Sequence, residues 1–160
     1  MNRRHFLLTT AASAFAVTLT ACGKKLIVGR KVPAGASVLA LGDSITFGIG
    51  ATPEASYPAV LARLTGWNVI NASISGDTSG EALARLPALL QQHSPQLVLM
   101  SIGGNDFLRH QPESEARSNV RRICEMAASA GAQALLIAIP AFRETLNKAA
   151  FPQETSTRFF

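Results

Sequence analysis

Cysteine, histidine, charge and long apolar runs are all scarce in this chain, and each scarcity excludes something. Two cysteines, Cys22 and Cys124, in 160 residues exclude a small fold stapled by several disulfides. Charged residues make up only 16% against 48% hydrophobic, a globular balance that excludes intrinsic disorder. Basic residues outnumber acidic ones 15 to 10, but Arg3 and Arg4 lie in a segment expected to be removed, which leaves 13 bases and a surplus of +3. Without a stripe of Lys and Arg interleaved with aromatics, nucleic acid is not an expected partner. The apolar run 6–19 is broken by Thr and Ser and falls short of the roughly 20 residues that span a bilayer.

What the first 36 residues do carry is an address. Asn2-Arg3-Arg4 is a short positive region, the run 6–19 follows it, and Leu19-Thr20-Ala21-Cys22 is a small-residue cleavage site; together they form an export signal over 1–22. Leu19-Thr20-Ala21-Cys22 resembles the lipobox of bacterial lipoproteins, which implies that Cys22 is acylated and anchors the chain on the periplasmic side of a membrane. Arg3-Arg4-His5-Phe6-Leu7 resembles a twin-arginine signal, although a paired arginine also suits an ordinary one. Residues 23–36, with Lys24, Lys25, Arg30, Lys31, Pro33 and three glycines, are expected to tether anchor to domain. If Cys22 carries lipid, Cys124 has no partner; its spacing from Val120, Ile123 and Met126 predicts a buried structural thiol.

One domain of this length can bury a sizeable core, and the pattern from residue 37 onward alternates strand with helix. Apolar runs at 37–41, 67–72, 96–102 and 134–139 have strand length. Between them, helices are expected from about 54 or 57 to 64, at 79–93 with Pro87 interrupting its stripe, and at 113–130, closed by Gly131. Four strands alternating with three helices predict right-handed crossovers and a parallel sheet, whose ligand sits beyond the carboxyl ends of its strands.

Three loops leave those ends, and they hold Asp43-Ser44, Gly76-Asp77 and Asn105-Asp106. Alone, Gly76 answers equally to a turn that needs positive φ, and Asn105-Asp106 to a helix cap. Their joint placement at strand ends one, two and three points to a site. A serine attacking an acyl carbon needs a base to take its proton and donors aimed at the oxygen that becomes negative. Ser44 is the candidate nucleophile. The N–H of Ser44, the N–H of Gly76 and the Asn105 amide are the candidate donors.

Gly42-Asp43-Ser44-Ile45, Asn71-Ala72-Ser73-Ile74-Ser75-Gly76-Asp77-Thr78 and Gly103-Gly104-Asn105-Asp106 resemble, in order, the first three blocks of the SGNH or GDSL hydrolases, with Ile45 in place of the usual Leu. The wording of the blocks, with Ala84-Arg85-Leu86-Pro87, is most similar to the bacterial periplasmic thioesterase, lysophospholipase and arylesterase branch. The resemblance covers about residues 37–140. It implies a flavodoxin-like three-layer αβα sandwich over 37–146, and hydrolysis of a small-molecule acyl ester or thioester with no metal or organic cofactor. Ser44 is then the nucleophile, and Ser44, Gly76 and Asn105 form the oxyanion hole. Asp43 falls to turn and helix-start structure, and Asp106 lies outside the chemistry.

The resemblance fails at one block. The family carries its base in an Asp-x-x-His near the carboxyl end, and no such block occurs in this sequence; its histidines are His5, His93 and His110. His93 is expected at the helix end opposite the site and His110 nearer to it. Residues 147–160 show neither a helical stripe nor a clean strand. A C-terminally truncated fold would account for both features and would leave an apolar edge beside the fourth strand. Two alternatives to an active esterase therefore stand: a catalytically impaired family member, or a non-catalytic lipoprotein that binds acyl chains or glycans. Oligomeric state is not legible.

Overall fold

A computed structural model describes residues 29–139. The export segment with Cys22, the first part of the expected tether, and everything from Pro140 onward, the 147–160 segment included, lie outside the described residues. Four parallel strands form one sheet in the order β2-β1-β3-β4: β1 (Ser37–Gly42), β2 (Asn68–Asn71), β3 (Leu97–Ser101) and β4 (Gln133–Leu136). β1 and β3 are central, and their pairing runs from Val38 opposite Leu97 to Gly42 opposite Ser101. The chain steps outward from β1 to β2 and then crosses back to β3, so the strand order reverses between β1 and β3. A crevice opens at such a reversal beyond the carboxyl ends.

Alternate residues of the central strands face opposite layers, as the pleat requires. Leu39, Leu41, Val98 and Met100 are buried with Leu86, Leu90, Val120, Ile123 and Ala127, contributed by α3 (Ser79–His93) and α5 (Glu113–Ser129). Val38, Leu97 and Leu99 face the other way, against Leu61 of α2 (Tyr57–Thr65) and Trp67. Helices thus cover both faces, as the three-layer expectation required. On the second face Leu135 of β4 remains 53% exposed among the described residues. Cys124 packs at the margin of the first layer and is only half-buried; burial is the main reason its thiol titrates above its ordinary range.

The helix boundaries follow from their caps. α3 opens on a capping box in which Thr78 Oγ1 accepts from Glu81 N and Glu81 Oε2 accepts from Thr78 N at 2.8 Å. It runs unbroken through Pro87, which lies on the exposed side, where water can take the carbonyl that a proline leaves unpaired. α2 ends on Gly66 at φ 70°. Two elements expected as loop are short helices: α1 (Ser44–Phe47) and α4 (Gly104–Leu108). β4 starts one residue earlier than its apolar run and stops at Leu136, paired with β3 from Leu97 opposite Gln133 to Met100 opposite Leu136, and Ile137 N still donates to the Met100 carbonyl at 2.7 Å.

Residues 29–36 lie against the domain. Trp67 Nε1 donates to the Val32 carbonyl at 3.2 Å and Gly35 N to the Gly66 carbonyl at 2.7 Å. Arg30 and Gln133 exchange main-chain to side-chain bonds.

Gly42 is the tightest point of the sheet. A Cβ there would lie 2.1 Å from Thr46 Oγ1 and 2.6 Å from the Ser101 carbonyl oxygen. Gly42→Ala is expected to lower stability by about 3 kcal/mol, as overpacking of a closed interior does, measured by urea denaturation. A loss well under 1 kcal/mol would mean that α1 can shift to make room.

Candidate active site

Ser44 is presented by the abrupt change from strand to helix. β1 ends at Gly42, Asp43 caps α1, its Oδ1 accepting the Ile45 N–H at 3.0 Å, and Ser44 is the first helical residue. Its N–H therefore belongs to the helix terminus, where intrahelical acceptors are lacking. Four residues later Gly48 adopts φ 99° and closes α1 by donating to the Ser44 carbonyl at 3.1 Å. So short a helix is held from outside. Thr46 is fully buried, with its Oγ1 3.2 Å from the Tyr57 hydroxyl, and its carbonyl accepts from Asn71 Nδ2 at 3.0 Å.

The second loop is anchored to the first. Ile74 N donates to the Gly42 carbonyl at 3.1 Å, so Ser44 and Gly76 each stand two residues beyond a bonded pair. Asp77 N donates to the Ile74 carbonyl at 3.1 Å, which makes 74–77 a turn whose third residue, Gly76 at φ 89°, occupies a position that favours glycine. Asp77 pairs with Arg85, Nη2 at 2.6 Å and Nε at 2.8 Å from Oδ2, and Arg85 also donates to the Ala72 carbonyl.

The third loop closes on the second. Gly103, at φ 115°, turns β3 into α4. Asn105 Nδ2 donates to the Asp77 carbonyl at 2.9 Å; an amide nitrogen carries two hydrogens, and the second remains for a ligand. Asp106 is buried and accepts from Ser79 N at 2.8 Å and from Ser79 Oγ, while Asn119 donates to the same Oγ at 3.1 Å. Asp106 thus holds the start of α3 against α4. Asp43 likewise does capping work. Burial raises its carboxyl above the ordinary range against the lowering effect of the Ile45 N–H, and the charges of Asp77 and Asp106 add to the rise.

The structure brings Ser44, Gly76 and Asn105 to one end of the sheet and keeps the described histidines apart from one another. His93 ends α3, and its carbonyl accepts from Ser37 Oγ at 3.0 Å, which places it at the amino edge, as expected. His110 is exposed at φ 55°, in the turn after α4. His5 lies outside the described residues. Among those residues, no group of three or more His, Cys, Asp or Glu is placed to hold a metal ion.

Exposed apolar side chains rim the same end. Ile45, Phe47 and Ile49 come from the first loop, Ile74 from the second, and Phe107 and Leu108 from α4. Phe47 and Ile49 lie in the segment 47–57 and Phe107 and Leu108 in 107–112, and sequence patterning gave no sign that Ile45 and Ile74 join them.

Comparison with known proteins fits this geometry. The GDSL-like Lipase/Acylhydrolase family profile matches residues 40–159. The chain is similar to Thioesterase 1/protease 1/lysophospholipase L1 of Escherichia coli (strain K12), with 42% identity over 113 residues that cover 68% of this chain and 53% of that protein. It is similar to Esterase TesA of Pseudomonas aeruginosa, with 36% identity over 129 residues, or 78% of this chain and 64% of that one. Among solved structures, the psychrotrophic esterase EstA from Pseudoalteromonas sp., inhibited by monoethylphosphonate, shares 32% identity at a TM-score of 0.62, covering 78% of this chain and 65% of that chain. The chain thus spans between about half and two thirds of the length of these relatives.

The elevated Asp43 carboxyl has a consequence for stability. Because the folded chain holds this proton to higher pH than the unfolded chain does, stability falls as pH rises from the ordinary aspartate range through the raised one. Asp43→Asn keeps the oxygen that caps Ile45 and is expected to flatten this part of a pH–stability curve. An unchanged slope would assign it to other carboxyls.

Proposed function

The chain belongs to the GDSL-like lipase/acylhydrolase family, and on that footing we propose that it is a serine esterase or thioesterase that hydrolyses acyl esters through an acyl-serine intermediate. The observation that carries this proposal is the set of cross-ties that fix the Ser44, Gly76 and Asn105 loops to one another at the carboxyl ends of β1, β2 and β3. Ser44 Oγ adds to the acyl carbon, and its proton passes to a base. The oxygen that becomes negative is met by the Ser44 N–H, the Gly76 N–H and the free Asn105 amide hydrogen. The tetrahedral species then expels the alcohol or thiol, and water releases the acid from the serine by the same route. The apolar rim takes the acyl chain.

The family resemblance assigns the base to an Asp-x-x-His block, which does not occur in this sequence, and among the described residues His110 is the histidine on the active end of the sheet. The placement of His93 at the far edge favours a second reading, a family member that binds acyl chains or glycans with impaired or no turnover. We assign residues 37–146 to the hydrolase domain. Residues 1–22 are an export signal, and Cys22 carries lipid that holds the protein on the periplasmic side of a membrane.

Hydrolysis of a short-chain p-nitrophenyl ester is expected to disappear in Ser44→Ala and to drop about 100-fold to 1000-fold in Asn105→Ala, the usual cost of losing one oxyanion donor. Turnover that survives Ser44→Ala would refute the nucleophile. Saturable ester binding without turnover would select the second reading. For the anchor, Cys22→Ser is expected to abolish incorporation of labelled palmitate and to move the chain from the membrane fraction to the soluble one; retained label would refute it.

A further inference from the structure

Gly76 is one of the three proposed oxyanion donors. It has no side chain and sits at φ 89°, so the direction of its N–H depends on what holds the neighbouring peptide groups. Asn105 of α4 and Arg109, the residue that caps its carboxyl end, hold them. Asn105 and Arg109 are four residues apart and lie on one helical face, and they engage two consecutive carbonyls of the second loop. Asn105 Nδ2 takes the Asp77 oxygen at 2.9 Å, and Arg109 Nη2 takes the Gly76 oxygen at 2.7 Å. Arg109 Nη1 stands 3.6 Å from Glu81 Oε2. That carboxylate is itself fixed by the Thr78 N–H at 2.8 Å and hydroxyl at 2.9 Å. The guanidinium therefore bridges the turn and the capped start of α3.

The two halves of this bridge have unequal weight. Arg109 and Glu81 are both about half exposed, with side-chain exposures of 51% and 55%, and an ion pair of that kind adds little stability. A charge-assisted bond to a carbonyl in a turn built on glycine does something else. It fixes the peptide that follows Gly76, and with it the ψ of Gly76, and so steadies the adjoining peptide that carries the Gly76 N–H. Sequence patterning gives no sign of this, because Arg109 is 33 residues from its partner.

We infer that Arg109 is a positioning residue for the proposed esterase: by holding the Gly76 carbonyl it aims the Gly76 N–H at the oxyanion. The inference rests on the serine-hydrolase proposal. Lysine at this position keeps the charge but not the fork that reaches both Gly76 and Glu81.

Two measurements on the whole chain test it, one of them independent of catalysis. Hydrogen exchange at residues 74–78 is expected to quicken in Arg109→Ala while α5 is unchanged; exchange identical to the parent would overturn the clamp. Ester hydrolysis is expected to lose about 10-fold to 100-fold in kcat, the scale of a small misplacement at a reacting centre. KM is expected to change by about two-fold or less, since an interaction made only in the transition state is weakened, and Arg109→Lys is expected to recover part of the loss. An equal loss spread over KM, or full kcat despite faster exchange, would overturn the role in catalysis. A parent chain without Ser44-dependent turnover would overturn the hydrolase proposal and this role with it, leaving the exchange result to judge the clamp alone.

Discussion

The rest of the structure depends on one tight passage, the step from β1 into α1 at Gly42. This residue is paired with Ser101 on one side, and on the other its carbonyl receives the Ile74 N–H. Thr46 folds back over it so closely that a methyl group would overlap two oxygens. The passage fixes three things at once. Ser44 is set at a helix terminus, the second loop is bound to the first, and the third loop leaves from the strand next door. Because β1 and β3 flank the reversal of strand order, the apolar packing of both layers supports the same point.

Three acids at this end of the sheet are each engaged by a donor. Asp77 is answered by Arg85 and Asp106 by Ser79, and Asp43 has chiefly the Ile45 N–H. Three carboxyls near a centre meant to receive negative charge would oppose it if they faced it. Here each is turned into a cap or a tie, and N–H donors are the groups proposed to meet the ligand. Their rigidity comes from cross-ties between loops. This is why distant side chains such as Asn71, Arg85 and Arg109 matter to a site they do not form.

Much of this was legible in the sequence because it is local. The central strands are continuous apolar runs, and α3 and α5 lie within the spans 79–93 and 113–130 expected from the sequence. The loops carrying Ser44, Gly76 and Asn105 follow from strand ends alone. Less could be read where distance in the sequence decides. α1 and α4 have four and five residues, too few to show a helical period, and exist because Thr46 and Asp106 are held by partners elsewhere. Residues 30 and 32 dock through Gln133 and Trp67, which composition alone cast as linker. The ties of Arg109 and Asn105 to the second loop join side chains to backbone carbonyls, and a carbonyl has no residue signature.

The central claim is that Ser44 is a nucleophile standing before assembled oxyanion donors. The most direct measurement is reaction of the chain with a fluorophosphonate, followed by peptide mass spectrometry. The account predicts one phosphonyl group per chain, carried by Ser44 and formed markedly more slowly when Asn105 is replaced by alanine. An unmodified Ser44 under conditions that label a known serine esterase, or a label carried by another residue, would contradict it.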